Sequence, residues 1–119
     1  MELHPQFRLN GTSYSNYQLL EVAQTWATAS NTAEQELGTF LADWLSDNET
    51  LYLKTSGSTG TPKSIKMDKA AMRASAVSTG QFFGLSPNDT ALLCLPLQYI
   101  AGKMMLVRAM ILGLALDIV

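Results

Sequence analysis

Apolar positions along the chain follow two rhythms, one of three to four residues and one of short continuous runs. In SYSNYQLLEVAQTWATAS, Leu19, Leu20, Val22, Ala23, Trp26 and Ala27 recur at helical spacing, which predicts a helix behind Ser15 or Asn16 as its cap. A second helix follows, because Asn31 stands three residues before Glu34, an N-terminal box spacing, and Leu37, Phe40, Leu41, Trp44 and Leu45 repeat on one face. Trp26 and Trp44 are expected in the core. Upstream, FRLNG ends in a turn.

Beyond DNET the rhythm changes. LYLKTS reads as a short strand and SIKM as another, so the polar stretch between them joins two strands. Asp68 then caps a helix from about Lys69 to Phe83 that Gly84 ends, and SPND turns the chain into a buried strand, TALLCLP. A Met-rich helix, roughly Gly102 to Leu112, closes at Gly113, with Met104, Met105 and Met110 expected in the core, and LALDIV begins another buried strand. Strand, helix, strand, helix, strand predicts an α/β fold with a parallel sheet. The chain stops inside that last strand, so residues 1–119 are expected to be the N-terminal fragment of a larger domain.

Composition narrows the class. With 47% apolar and 15% charged residues in 119, the chain can build a core and resembles neither a disordered segment nor a polybasic nucleic-acid arm. Its net charge of −2 is unevenly spread. Up to Leu53, Arg8 is the single basic side chain against seven acids, whereas from Lys54 onward five Lys and two Arg face three acids. Positive charge therefore gathers around the polar stretch and afterwards, a statement about ligands rather than fold. The lone Cys94 has no disulfide partner and is expected as inert core in a reducing, cytoplasmic setting. No charged-then-apolar leader opens the chain, and Pro96, Lys103 and Arg108 interrupt its most apolar region, so neither membrane nor nucleic acid is an expected partner. A homo-oligomer stays open. His4, alone near an end expected to fray, has no Cys or Asp spacing that would make a metal site.

The chemistry concentrates in LKTSGSTGTPKSIKM. Small residues let successive backbone N–H groups turn inward as an anion nest, and the flanking hydroxyls add donors without bulk. Lys63 supplies a mobile positive charge suited to a departing phosphate. Gly57 to Ser64 approaches the Walker pattern G-x-x-x-x-G-K-[ST], but Pro62 stands where its last Gly must be, removing an N–H and fixing φ. A Walker loop also opens directly into a helix, and here a strand comes first.

The stretch instead resembles the signature loop of the adenylate-forming superfamily, the acyl-CoA synthetases, luciferases and adenylation domains, usually written [ST]-S-G-[ST]-T-G-x-P-K-G. Thr55-Ser56-Gly57-Ser58-Thr59-Gly60-Thr61-Pro62-Lys63-Ser64 departs from it only at Ser64. LPLQYIAG, Leu95 to Gly102, further resembles the L-P-L-F-H-[IV]-S-G segment of o-succinylbenzoate-CoA ligases, with Gln98 and Tyr99 in place of Phe-His. The resemblance implies ATP with Mg2+, a small-molecule carboxylic acid and CoA as reactants, with an acyl-adenylate between two half-reactions in menaquinone biosynthesis. It assigns ATP phosphates to Thr55, Ser56, Gly57, Ser58, Thr59, Gly60 and Lys63, of which Lys63 is also catalytic, and the acyl pocket to Gln98, Tyr99, Gly102 and Arg108. Other carboxylate-adenylating enzymes, or a non-catalytic nucleotide-binding fragment, are the alternatives. Arg108 sits in MMLVRAMIL with no acid within one helical turn. Such a guanidinium must reach water, pair with a carboxylate from elsewhere, or face an anion in a cavity.

Overall fold

The computed structural model describes residues 3–54 and 63–119. The chain begins with a miniature hairpin, β1 (Arg8–Leu9) and β2 (Thr12–Ser13), turned by Asn10 and Gly11 at φ 50° and 82°. Two consecutive left-handed residues give the tight turn whose twist matches paired strands, and Asn-Gly is the pair that tolerates them. Helices α1 (Asn16–Ala27) and α2 (Thr32–Leu45) follow where their apolar periodicity places them. Ser15 is the cap of α1: its Oγ accepts from Gln18 N at 3.2 Å while Gln18 Oε1 accepts from Ser15 N at 3.0 Å, a reciprocal capping box. At α2, Asn31 Oδ1 accepts from Glu34 N at 3.2 Å. The two helices cross at Gly38, where a Cβ would lie 2.4 Å from the Ala23 carbonyl oxygen, so only glycine lets the backbones approach this closely.

Strands β3 (Thr50–Lys54) and β4 (Ser64–Asp68) form an antiparallel hairpin with Thr50 opposite Asp68 and Lys54 opposite Ser64. The expected strand-loop-strand is thus present. Helix α3 (Lys69–Phe83) starts where β4 ends, with Asp68 at the cap position but making no side-chain cap bond, and it stops at Gly84 in the left-handed conformation, φ 64°. Strand β5 (Thr90–Leu93), helix α4 (Ile100–Leu112) and strand β6 (Ala115–Ile118) complete the chain, α4 ending at Gly113, φ 77°.

The fold is α/β with alternating strands and helices, as expected, but its sheet differs in membership. β4 pairs with β3 alone; the larger sheet has the order β2-β1-β6-β5, with β1 and β5 both parallel to β6. The place expected for β4 is taken by β1, a two-residue strand too short to carry any periodicity. Residues Leu9, Leu116 and Leu93 share the sheet face that joins the core, while Leu92 and Asp117 point to the other, exposed face. One face of the apolar run TALLCLP is therefore uncovered. Cys94, expected in the core, lies past the end of β5 and is exposed. Trp44 is fully buried and Trp26 half-buried; Met104 and Met110 are core, with Met105 packed against it. His4 is not at a frayed end: its N–H donates to Met110 O at 2.9 Å and its ring lies against Gly113.

Lys69, the first residue of α3, is the buried charge of this core, only 1% exposed. Its Nζ donates to Asp43 O at 2.5 Å, Ser46 O at 3.1 Å and Ser46 Oγ at 3.3 Å, adding to the Ser46 N–H and Oγ donors already on Asp43 O and satisfying the Ser46 carbonyl just past the end of α2. Burial pushes its pKa down, and Asp43 and Asp47 offset part of that. Lys69→Met should leave the Ser46 carbonyl without its donor and lower the unfolding free energy in urea by about 1–3 kcal/mol. Between the depressed pKa and the ordinary lysine value the unfolded chain holds more protons than the folded one, so stability rises with pH across that window. The same titration repeated in the variant should lack that increment.

Candidate functional site

Pairing of Lys54 with Ser64 closes the neck of the β3–β4 hairpin. The polar segment between them, including Thr55, Ser56, Gly57, Ser58, Thr59 and Gly60, lies outside the described residues. Its two lysine neighbours do not. Lys54 ends β3 and Lys63 immediately precedes β4, both exposed, so two cations flank the neck.

Beside this neck runs a cleft of about 380 Å3, walled by α2 on one side and by β3 and the start of α4 on the other. Glu36, Phe40 and Asp43 come from α2, Leu51, Tyr52 and Lys54 from β3, and Gln98 and Lys103 from α4 and the segment leading into it. The volume is that of a small-molecule site. A second depression shares Thr32, Glu36 and Gln98 with it and continues along Leu93 to Leu97 towards Ile118. The two form one trough, from the hairpin neck to the carboxyl ends of the parallel strands β5 and β6. Open α/β sheets bind ligands at those ends, because helix and strand termini there leave backbone groups and loops free to face a crevice.

The start of α4 reaches the trough by close backbone contact. Gly102 is buried against the turn before the helix, where a Cβ would sit 2.3 Å from the Pro96 carbonyl oxygen. Tyr99 caps the helix without a side-chain bond, and its N–H donates to Pro96 O at 3.5 Å. Lys103, one residue on, is half-buried with its Nζ 5.9 Å from the centroid of the Phe40 ring. Burial is the main cause that lowers its pKa; Lys54 lowers it further, while Glu36 and Asp43 raise it.

Of the residues the sequence assigns to an acyl pocket, Gln98, Tyr99 and Gly102 thus gather at this end of α4, and Gln98 lines the cleft. Arg108 is not among the cleft's lining residues. A Cβ on Gly80 of α3 would meet Leu112 of α4 at 2.7 Å, and Arg108, one turn before Leu112, shares that face towards α3. Its buried Nε, like that of Arg73, has no hydrogen-bond partner among the described residues. Sequence reading missed Lys54, Lys103, Phe40 and Glu36 as site residues. The available signal was Lys103, which with Arg108 is one of two charges in a largely apolar helix and stands directly after a glycine. Among the described residues no group of three or more His, Cys, Asp and Glu could hold a metal ion, and no helix is long and apolar enough to cross a membrane.

Lys54→Met should raise the Lys103 pKa, and Glu36→Gln should lower it further, both followed at the Lys103 side chain by NMR titration. Shifts of the opposite sign would mean that the four charges do not share the cleft.

Residues 10–119 match a family described as AMP-binding enzyme. No curated protein matches the chain. A solved acyl-CoA synthetase (AMP-forming)/AMP-acid ligase II-like protein from Dyadobacter fermentans is similar, with 39% identity and a TM-score of 0.72 over 83% of this chain and 28% of that one. The Vibrio cholerae adenylation domain AlmE, solved with glycyl-adenosine-5'-phosphate, shares 26% identity at a TM-score of 0.50, over 69% of this chain and 16% of its own. The chain thus spans less than a third of the length of either structure.

Proposed function

The chain belongs to the AMP-binding enzyme family, and we propose from that premise that it supplies the phosphate loop and part of the acid site of an ATP-dependent carboxylate–CoA ligase. One observation carries the reading: the β3–β4 neck, where Lys54 pairs with Ser64 and Lys63 stands beside it, lies next to a trough lined by Gln98, and the signature residues fall in sequence between its two strands. In the first half-reaction a carboxylate oxygen of the acid attacks the α-phosphorus of ATP, and the bond to pyrophosphate breaks. In the second, the thiol of CoA attacks the acyl carbon and AMP departs. Negative charge grows on the leaving pyrophosphate in the first step alone, so donors around the β- and γ-phosphates lower that barrier in particular.

Thr55, Ser56, Ser58, Thr59 and Lys63 are the proposed donors, with Gly57 and Gly60 admitting the phosphates to the backbone. Magnesium would accompany ATP as the counter-ion of its phosphates. LPLQYIAG supports o-succinylbenzoate as the acid, which would place the ligase in menaquinone biosynthesis. Residues 1–119 without the remainder of such an enzyme are proposed to be inactive; pyrophosphate release from ATP and acid by the isolated chain would overturn that.

Lys63→Ala and Thr59→Ala in the intact ligase should each slow adenylation by about 2–4 kcal/mol of barrier, the scale for removing one transition-state donor. Thioester formation from supplied acyl-adenylate should change little. Pyrophosphate exchange and single-turnover thioester assays separate the two steps, and equal losses in both would remove the loop from its proposed role.

A further inference from the structure

Lys103 has no part in the family signature, yet the fold places it where a solvated lysine has no reason to be. It stands in the first turn of α4, where the positive end of the helix dipole gives a cation no stabilisation, and α4 has no acid in that turn to compensate. Its ammonium is half-buried over the face of Phe40 and shares the cleft with Lys54, a second cation. Glu36 and Asp43 line the same cleft and offset part of the repulsion between the two, but the half-buried ammonium is still poorly solvated, and an anion brought beside it favours its charged form.

We propose that Lys103 recognises a carboxylate of the acid substrate in the cleft between α2 and the β3–β4 hairpin, making it a specificity-determining residue of the acid site.

The charge content of the cleft selects the kind of anion. Glu36 and Asp43 face Lys54 and Lys103 across it, so the four side chains sum to zero. A phosphate dianion would meet two carboxylates with no surplus of positive charge. A single carboxylate asks less, and Phe40, Leu51 and Tyr52 offer the apolar and aromatic surface that the body of an organic acid needs. Gln98, at the junction of the two depressions, can donate an amide N–H to the same ligand. The cation–π contact with Phe40 holds the ammonium in place before the acid arrives, reducing the ordering that binding requires.

This inference rests on the ligase reading above, and the test keeps the two apart. With o-succinylbenzoate as the probe acid, K103M in the intact ligase should raise KM for the acid by roughly 10–100-fold, the range that loss of a charge-assisted hydrogen bond gives. KM for ATP and for CoA should stay within about twofold, and K103R should recover part of the loss, since a guanidinium also binds carboxylate. R108L serves as the companion variant: a rise in acid KM there, with K103M unchanged, would move the carboxylate to the α3–α4 seam and overturn the assignment. A rise in KM for ATP or CoA instead would assign the cleft to phosphate, with the same consequence. Wild-type ligase that forms pyrophosphate with no acid would defeat the ligase reading, whereas an active enzyme indifferent to K103M defeats this inference alone. Binding is also readable without turnover or substitution. Saturating the wild-type chain with o-succinylbenzoate should raise the Lys103 pKa in an NMR titration, because a bound carboxylate favours the charged form; a Lys103 signal that does not move would overturn the proposal.

Discussion

The ammonium of Lys69 joins the two halves of this structure. Helix α2 ends at Ser46, whose N–H and Oγ bond the Asp43 carbonyl while its own carbonyl faces out of the helix, and the chain then leaves for the β3–β4 hairpin. When it returns, Lys69 closes the circuit: its backbone N–H donates to Glu49 O at 2.9 Å, and its side chain takes the carbonyls of Asp43 and Ser46. A buried ammonium is costly unless its donors are all used, and here three acceptors meet three N–H groups. The consequence reaches past stability. The α2 wall of the cleft and its β3 wall are held at a fixed separation because the residue that starts α3 is bonded to the end of α2. Without that tie the hairpin, and with it Lys54, would be held by its strand pairing and by the burial of Leu51 and Leu53 alone.

Electrostatics in the cleft follow from the same geometry. Acidic residues dominate the segment before Leu53 and basic ones the segment after it, and the fold folds one against the other. Glu36 and Asp43 from the acidic part thus meet Lys54 and Lys103 from the basic part. Such a cleft attracts no large counter-ion by net charge. It discriminates by position instead, since each point along it lies closer to one sign than to the other.

What could be read from the sequence was what local physics decides. Caps at Ser15 and Asn31, the stops at Gly84 and Gly113, and the hairpin around the Ser/Thr/Gly stretch depend on neighbours a few residues away, and they stand where the residues place them. The errors came from partners distant in sequence. β1 is a strand because β6, more than a hundred positions later, accepts it in register Arg8 with Ala115. Lys69 opens a helix in the sequence, and its burial is decided only when Asp43 and Ser46 are brought to it. Leu92 and Cys94 belong to an apolar run, yet burial depends on which sheet face is covered, which the run itself does not encode. At the site, Arg108 drew attention as a charge in an apolar helix, and the same logic applied to Lys103 five residues earlier. Five positions turn a helix by about 140°, so the two cations leave α4 in different directions; only the packing of α4 says which of them faces the cleft.

That packing is fixed at both ends by glycine. Gly102 lets the first turn of α4 rest on the Pro96 carbonyl, and Gly113 lets its end lie under the His4 ring, with the His4 N–H bonded to Met110 O. Between them Leu106, Val107, Ala109 and Met110 are fully buried, so the helix has no freedom to roll without opening the core. A side chain on such a helix is aimed by the whole core and needs no hydrogen bond of its own to hold direction. Lys103 is placed over Phe40 in this way: its backbone is set by Gly102 against Pro96, and its stem is confined by the burial around it. Among the described residues its ammonium makes a cation–π contact with Phe40 and no hydrogen bond, which is the physical difference between this lysine and Lys69, whose donors are all engaged in the fold.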